Sequence, residues 1–181
     1  MRTLFLAAVG HVDPELIDAA ERTVLEWFPF EVDRLPGLPP DPAWFRAERG
    51  QFESVPIMQA LSTAMPAGAA RILGLTELDI AIPMLSFLFG QAQFNGPVAL
   101  VSLARLRQEF YGLPEDADLL VERLTKEILH ELGHTSGLIH CPATECVMSL
   151  STHVGLVDAK QPAFCKACGS HLVRHLAASR G

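Results

Sequence analysis

The sequence predicts a mixed α/β (α+β) fold, in which a β-sheet packs on helices and a small lobe follows at the C-terminal end. Short apolar runs typical of buried strands alternate with amphipathic segments in the first part of the chain. One long amphipathic segment follows, and the last quarter combines irregular sequence with a terminal helical pattern. With 181 residues, 49% of them hydrophobic, the chain is long enough to form one such domain.

Strand and helix signals alternate from the start of the chain. The apolar run Thr3–Val9 predicts a buried strand. The same run is similar to a very short signal peptide, but no clear cleavage site follows, so the strand is the better interpretation. Asp13, followed by a proline, is typical of a helix N-terminus and predicts a helix over residues 14–28. Phe30–Leu35 alternates as a strand does, and the proline-rich residues 36–42 predict a loop.

The middle of the chain predicts a helix, two short strands and a hairpin. The helix and the two strands are expected over Ser54–Met65, Ile72–Leu75 and Leu78–Ile82. Asn95-Gly96 separates the apolar runs 87–94 and 98–103, and this dipeptide is a strong hairpin signal because both residues tolerate positive φ. Gly90 and its polar neighbours indicate that the first arm is an exposed edge of the sheet.

A long helix is predicted from Asp116 to about Ser136. Its apolar stripe has helical spacing and consists of Val121, Leu124, Ile128 and Leu132. Irregular sequence follows Gly137, and a terminal helix is expected over residues 162–179. We therefore expect a single domain over 1–181, with an N-terminal subdomain over 1–137 and a C-terminal subdomain over 138–181.

Charge and cysteine content exclude several classes of protein. Lys and Arg number 14 against 21 Asp and Glu, and the net charge of −7 argues against a nucleic-acid partner. No apolar stretch approaches the about 18 residues that a membrane-spanning helix needs, so no membrane partner is expected. Without a targeting signal, we expect a cytoplasmic protein, in which thiols stay reduced. The four cysteines all lie in the last quarter of the chain, which favours a metal site over disulfides.

The most informative segment, 130–140, reads HELGHTSGLIH. At about 100° per residue, His130 and His134 lie on one face of the predicted helix, and their imidazoles can reach one metal ion. Glu131 lies beside them and can take a proton from a metal-bound water. Gly137 can adopt positive φ and turn the chain, which lets His140 reach the same metal. Three imidazoles with one open position are typical of a catalytic zinc site.

The cysteines indicate a second zinc site. Cys141 and Cys146 precede a C-x-x-C pair formed by Cys165 and Cys168. Four thiolates form a closed tetrahedral site, which is structural. Because Cys141 adjoins His140, this site would also help to fix the third histidine. Free buried cysteines, two disulfides or a redox pair are the alternatives; zinc is favoured over them because nothing indicates an oxidising compartment and a redox pair leaves two cysteines unexplained.

The motif H-E-x-x-H-x-x-G-x-x-H, followed by Met148, resembles the metzincin signature, and the cysteines narrow the resemblance to the archaemetzincin family. The pattern covers residues 130–168, and the 16 residues between Met148 and Cys165 are one fewer than the family pattern has. The resemblance implies a metzincin-like zincin fold, in which a twisted mixed sheet packs on helices, an active-site helix among them, above a horizontal cleft. It also implies that Met148 lies beneath the metal as the Met-turn.

The resemblance further implies a zinc-dependent metallopeptidase with two zinc ions. His130, His134 and His140 would hold the catalytic zinc, Glu131 would act as general base and acid, and the cysteines would hold the structural zinc. A peptide or protein substrate is expected to pair with the exposed edge near Phe87–Gln91, since an open strand edge invites strand addition. We expect the chain to be a monomer.

Two other functions remain as alternatives. The first is a zinc-stabilised peptide-binding module with little or no peptidase activity, because an unrestrained protease in the cytoplasm would be hazardous. The second is a zinc-ribbon nucleic-acid module built on the cysteines, which the charge of −7 disfavours. The substrate sequence, and the choice between endopeptidase and aminopeptidase action, do not follow from these residues.

Overall fold

The computed structural model describes residues 2–178 and has the predicted class, a mixed sheet packed on helices. Its strands are β1 (Arg2–Val9), β2 (Phe30–Arg34), β3 (Phe45–Arg46), β4 (Gln51–Glu53), β5 (Arg71–Thr76), β6 (Ile80–Ala81), β7 (Gly90–Ala92) and β8 (Val98–Ser102). Its helices are α1 (Pro14–Trp27), α2 (Ser54–Ala64), α3 (Ala117–Thr135), α4 (Val154–Ala159) and α5 (Lys166–Ala178). Two short 3₁₀ turns lie at Pro42–Trp44 and Gln108–Tyr111.

A five-stranded sheet in the order β2-β1-β5-β8-β7 forms the centre of the molecule. The first four of these strands are parallel, and β7 pairs antiparallel with β8 at the edge. All residues of β5 and β8 are buried because helices cover both faces: α1 and α3 on one, α2 on the other. The edge position predicted for the first hairpin arm is therefore confirmed for β7, which lies next to helix α3.

A second, three-stranded sheet in the order β3-β4-β6 was not predicted. The segment 78–82, expected as a short strand, forms only the two residues of β6 and pairs with β4. Strands of two or three residues carry too few alternating side chains to be recognised from sequence.

The hairpin is present, but its strands are shorter than predicted. Only 90–92 of the first arm form a strand, and the turn extends over residues 93–97. Of the Asn95-Gly96 pair, Asn95 alone has positive φ, at +52°. The Asn95 N–H donates to the carbonyl oxygen of His134 at 2.9 Å, so the turn is shaped by the end of α3 and not by a two-residue loop.

The long predicted helix is α3, and Asp116 caps it by accepting from the Leu119 N–H at 2.9 Å. The C-terminal part contains a short helix, α4, that was not predicted. The terminal helix α5 begins at Lys166, four residues later than expected, and its predicted end at Ser179 lies outside the described residues. Within 2–178, none of the helices has the length and apolar character required to span a membrane.

Candidate active site and structural metal centre

The last turns of α3 carry the whole H-E-x-x-H segment, residues 130–134. After the helix, Gly137 adopts φ +79° as predicted, and its N–H donates to the His134 carbonyl while the Leu138 N–H donates to the Gly133 carbonyl, both at 3.0 Å. This pair of bonds is a Schellman motif, which ends the helix and reverses the chain. The division into two subdomains at residue 137 stays a prediction.

The two helical histidines are oriented by backbone carbonyls. Nδ1 of His130 lies 2.8 Å from the Val147 oxygen, and Nδ1 of His134 lies 2.7 Å from the Leu138 oxygen. Because a carbonyl only accepts, each Nδ1 carries the proton and each Nε2 presents a lone pair. The two Nε2 atoms are 3.1 Å apart, close to the ~3.3 Å that tetrahedral zinc with Zn–N bonds of about 2.0–2.1 Å imposes. Two facing lone pairs at this distance favour a cation between them.

His140 joins this pair from beyond the helix. One ligand atom from each of the three histidines lies within 4.8 Å of the others. The ring centroid of His140 is 5.3 Å from that of His130 and 4.9 Å from that of His134. Burial lowers the pKa of each histidine, that of His130 well below its ordinary value, which favours the neutral form that a metal requires. The chemistry and spacing of the three donors therefore fit zinc.

Glu131 lies against the edge strand. Its side chain is buried, and a Cβ built at Gly90 would lie 2.6 Å from Glu131 Oε1 and 2.7 Å from its Cγ. The carboxylate can occupy this place only because Gly90 has no side chain. Burial raises the pKa of Glu131 well above its ordinary value, the neighbouring Glu127 raises it further, and Lys160 opposes both. A carboxylate with raised proton affinity is suited to accepting and returning a proton near neutral pH.

A cleft of about 420 Å³ opens onto these residues. The apolar part of its lining includes Leu85, Phe87, Leu88, Phe89, Ala92 and Leu150. Three buried side-chain oxygens of the described residues lack a hydrogen-bond partner, and they belong to Gln91, Glu127 and Ser151, all of which line this cleft. The cleft therefore combines apolar walls with a few buried polar groups.

The four cysteines form the second cluster, and their Sγ atoms lie within 4.8 Å of one another. Cys141 Sγ and Cys165 Sγ are 3.9 Å apart, close to the ~3.8 Å expected for tetrahedral zinc with Zn–S bonds of about 2.3 Å. All four are free thiols, and the backbone N–H of Cys168 lowers the pKa of Cys165 to about 7. Because all four Sγ atoms lie near one another, and not as two separate pairs, the cluster fits a closed metal site better than two disulfides.

Met148 lies fully buried beneath α3. A Cβ built at Gly133, between the two helical histidines, would collide with Met148 Sδ and lie 3.2 Å from its Cε. The Cys141 N–H donates to the Met148 carbonyl at 2.9 Å. The methionine turn is thereby joined both to the active-site helix and to the cysteine cluster.

Replacement of Gly133 by alanine is expected to lower the free energy of unfolding by about 1–3 kcal/mol, because the added methyl overpacks the contact with Met148. In Gly133→Ala/Met148→Ala, the new methyl enters the space that the shortened side chain leaves. The double variant should therefore lose less unfolding free energy than the two single variants lose together. Denaturant titration of the zinc-loaded variants measures both. Gly169→Ala on α5 is the control, since its Cβ would meet only Phe164 Cβ at 3.8 Å. Additive losses would contradict the proposed contact.

The sequence interpretation missed three residues of this site. Glu127 lies one turn before the motif on α3, and the i, i+4 spacing to Glu131 is a signal that could have found it. Lys160 lies in irregular sequence and gave no signal, yet it contacts Glu127 and the segment around Met148. Gly90 was noted as a sign of an edge strand, but its contact with Glu131 was not anticipated. Of the phenylalanines near the hairpin, Phe87 and the buried Phe89 line the cleft, and Phe94 is exposed.

The sequence is similar to those of known zinc peptidases of one family. The sequence model of Peptidase family M54 matches residues 65–174. An archaemetzincin of Methanocaldococcus jannaschii is 42% identical over 160 residues, which are 88% of this chain and 87% of that protein.

Solved structures extend the similarity to the whole fold. The archaemetzincin of Methanopyrus kandleri superimposes with a TM-score of 0.86 at 37% identity, over 97% of this chain and 96% of the other. A zinc-dependent peptidase from Methanocorpusculum labreanum gives a TM-score of 0.83 at 28% identity, over 93% of this chain and 99% of the other. The expected fold, with its sheet and active-site helix, is that of these proteins.

Proposed function

The chain belongs to the archaemetzincins of Peptidase family M54 and is a zinc metallopeptidase, and we propose that it hydrolyses peptide bonds with Glu131 as general base and general acid. The observation that carries this proposal is the position of the buried Glu131 carboxylate beside three histidines whose ligand atoms converge. His130, His134 and His140 would hold the catalytic zinc. When bound there, zinc polarises the scissile carbonyl and acidifies water.

The proton transfers of the reaction are assigned to the side chain of Glu131. Glu131 accepts a proton as a water oxygen attacks the peptide carbonyl carbon. The same carboxyl group then gives that proton to the amide nitrogen, the C–N bond breaks, and the amine leaves. The raised pKa of Glu131 supports both roles, because a more basic carboxylate takes the proton readily and still releases it to an amine.

The substrate is proposed to lie along β7. Phe89 and Gln93 direct backbone groups inward, since the Ser102 N–H donates to the Phe89 oxygen and the Gln93 N–H donates to the Val98 oxygen. By the alternation of an antiparallel pair, the backbone groups of Gly90 and Ala92 point to the open edge. An extended peptide can use them as a neighbouring strand, which would bring its carbonyl over the histidines.

We also propose two bound zinc ions, the second held by Cys141, Cys146, Cys165 and Cys168. Four thiolates need a reducing compartment, and this supports a cytoplasmic location. The net charge of −7 supports peptides over nucleic acids as partners. We further propose that the chain acts as a monomer. Metal analysis of the purified protein, together with its mass in solution, tests the metal count and the monomer.

The proposal is tested by incubating a diverse peptide mixture with the zinc-loaded wild type and with Glu131→Ala, and reading the products by mass spectrometry. General acid–base catalysis contributes about 10²–10⁴-fold, so cleavage by the variant should fall by at least the lower figure while zinc stays bound. Glu131→Gln is the matched control for side-chain volume and should be equally inactive. Undiminished cleavage by either variant would remove Glu131 from the mechanism.

A second arm uses one cleaved peptide and its backbone N-methylated derivatives. Methylation of the backbone N–H groups that would donate to β7 should abolish cleavage. Methylation of the alternate N–H groups, which would point away from β7, should leave cleavage unchanged. Equal tolerance at all positions would contradict pairing with the edge strand. Absence of cleavage by the wild type, with two zinc ions bound, would instead favour the peptide-binding module.

A further inference from the structure

A lysine from the C-terminal part of the chain is buried at the back of the active-site cleft. Lys160 follows α4 directly, its side chain has no exposed surface, and it lines the cleft together with Glu127. Full burial of an ammonium group is costly unless every donor has an acceptor, and lysines are almost never buried without such partners. The three N–H groups of Lys160 Nζ therefore need acceptors within the protein.

Each donor of Lys160 has an acceptor nearby. Nζ donates to the carbonyl oxygens of Val147 at 3.2 Å and of Ser149 at 3.3 Å. It also lies 3.2 Å from Glu127 Oε1, which is an ion-pair distance, although the angle does not make this contact a hydrogen bond. Lys160 thus joins the segment on either side of Met148 to the active-site helix.

The Val147 carbonyl is shared between Lys160 and a histidine. The same oxygen accepts from Nδ1–H of His130 at 2.8 Å, and this bond directs Nε2 of His130 toward the other histidines. A carbonyl oxygen has two lone pairs, so both donors can bind it at once. The direction of the Val147 carbonyl therefore sets the direction of the His130 ring, and Lys160 holds that carbonyl.

Lys160 is not needed to connect the two backbone segments. The Gln161 N–H donates to the Glu145 oxygen, and the Val147 N–H donates to the Ala163 oxygen, both at 2.9 Å. These bonds fix the segments side by side without any side chain. The particular contribution of the ammonium group is to hold the Val147 and Ser149 carbonyls.

We propose that Lys160 is a positioning residue of the catalytic metal centre, which holds the Val147 carbonyl so that His130 presents Nε2 to the metal. This inference rests on the proposed role of His130 as a zinc ligand. Partners that orient a ligating histidine typically change metal affinity about 10–100-fold when they are removed. The effect should be confined to the histidine site, because the bonds near the cysteines do not involve Nζ.

The test measures zinc affinity at each site of the purified full chain by competition with a chromogenic chelator. Cobalt(II) spectra of the same proteins distinguish thiolate from imidazole ligation. Lys160→Met removes the ammonium group but keeps the apolar stem, and it should weaken metal binding at the histidine site about 10–100-fold with the cysteine site unchanged. Its cobalt spectrum should change only in the imidazole component.

Two further variants separate positioning from stability. Lys126→Met is the matched control, because Lys126 is a buried lysine on α3 whose Nζ binds the Asp158 carbonyl at 3.2 Å and Glu122 at 2.6 Å, away from Val147. It should leave both affinities as in the wild type. Lys160→Met/Glu127→Gln also removes the carboxylate charge that the single variant would leave unpaired, and it should still show the weakened histidine site.

Three results would overturn the inference. They are an unchanged histidine site in Lys160→Met, an equal loss in Lys126→Met, and full recovery in the double variant, which would assign the effect to the unpaired Glu127. Failure of the proposed function has a different signature: the wild type would bind a single zinc ion, and His130→Ala would not change the amount bound. That outcome contradicts both claims, whereas two sites with unaltered affinity in Lys160→Met contradict the Lys160 inference alone.

Discussion

Replacing Gly90 by alanine is expected to lower kcat about 100-fold while the amount of bound zinc stays as in the wild type. The added methyl group would lie 2.6–2.8 Å from Oε1, Cγ and Cδ of Glu131. Contacts between these atoms need more than 3 Å, so the carboxylate or strand β7 must shift by several tenths of an ångström or more. A misplacement of about 1 Å in a catalytic group can cost 10²-fold in rate. Steady-state kinetics on a cleaved peptide, with zinc analysis of the same sample, measures this effect.

The control for this prediction is Gly37→Ala. A Cβ at Gly37 would meet only the Ala8 oxygen at 3.7 Å, an ordinary contact, and its backbone is outside the left-handed region. This variant should keep kcat within twofold of the wild type. If Gly90→Ala retained the wild-type kcat, Glu131 would not need its place against the edge strand. A rise in KM alone would indicate that Gly90 serves substrate pairing and not the carboxylate.

Replacing Cys165 by serine is expected to abolish metal binding at the cysteine site and to weaken the histidine site as well. The four thiols lie at the junction of the methionine turn and α5, and a serine hydroxyl does not replace a thiolate ligand. Binding of a structural zinc contributes directly to folding, so we expect a loss of at least ~3 kcal/mol, or roughly 6–12 °C in Tm for a chain of this size. Calorimetry and zinc analysis measure the two effects.

Ala167→Ser is the matched control, since it places a hydroxyl at an exposed position between Cys165 and Cys168. It should bind two zinc ions and melt as the wild type does. Retention of the second zinc ion by Cys165→Ser would show that the thiols are not its ligands. A lower Tm with an unaffected histidine site would show that the two centres are independent.

The sequence predicted the parts of the site that are encoded by spacing along one element. His130, Glu131 and His134 follow from helical periodicity, and Gly137 follows from the need to turn the chain before His140. The cysteine cluster could be predicted because thiols are few and chemically distinctive. The central strands were predictable because burial on both faces makes them continuous apolar runs.

What the sequence did not predict depends on contacts between distant segments. Lys160 reaches Val147 and Glu127 only because α4 returns the chain to α3, and no local pattern encodes that return. The contact of Gly90 with Glu131 depends on the pairing of β7 with β8, which brings the edge strand over the helix. The short strands β3, β4 and β6 are stabilised by each other and not by their own propensity.

The link between the cysteine cluster and the neighbouring His140 has a consequence for biosynthesis. Cys165 and Cys168 are synthesised 25 and 28 residues after His140. At about 5–20 residues per second, the ribosome adds the last cysteine roughly 1–6 s after the last histidine. Until then the segment next to His140 has only half of its thiol anchor. The three histidines that we propose as metal ligands are therefore synthesised before the thiols that would hold the third of them are complete.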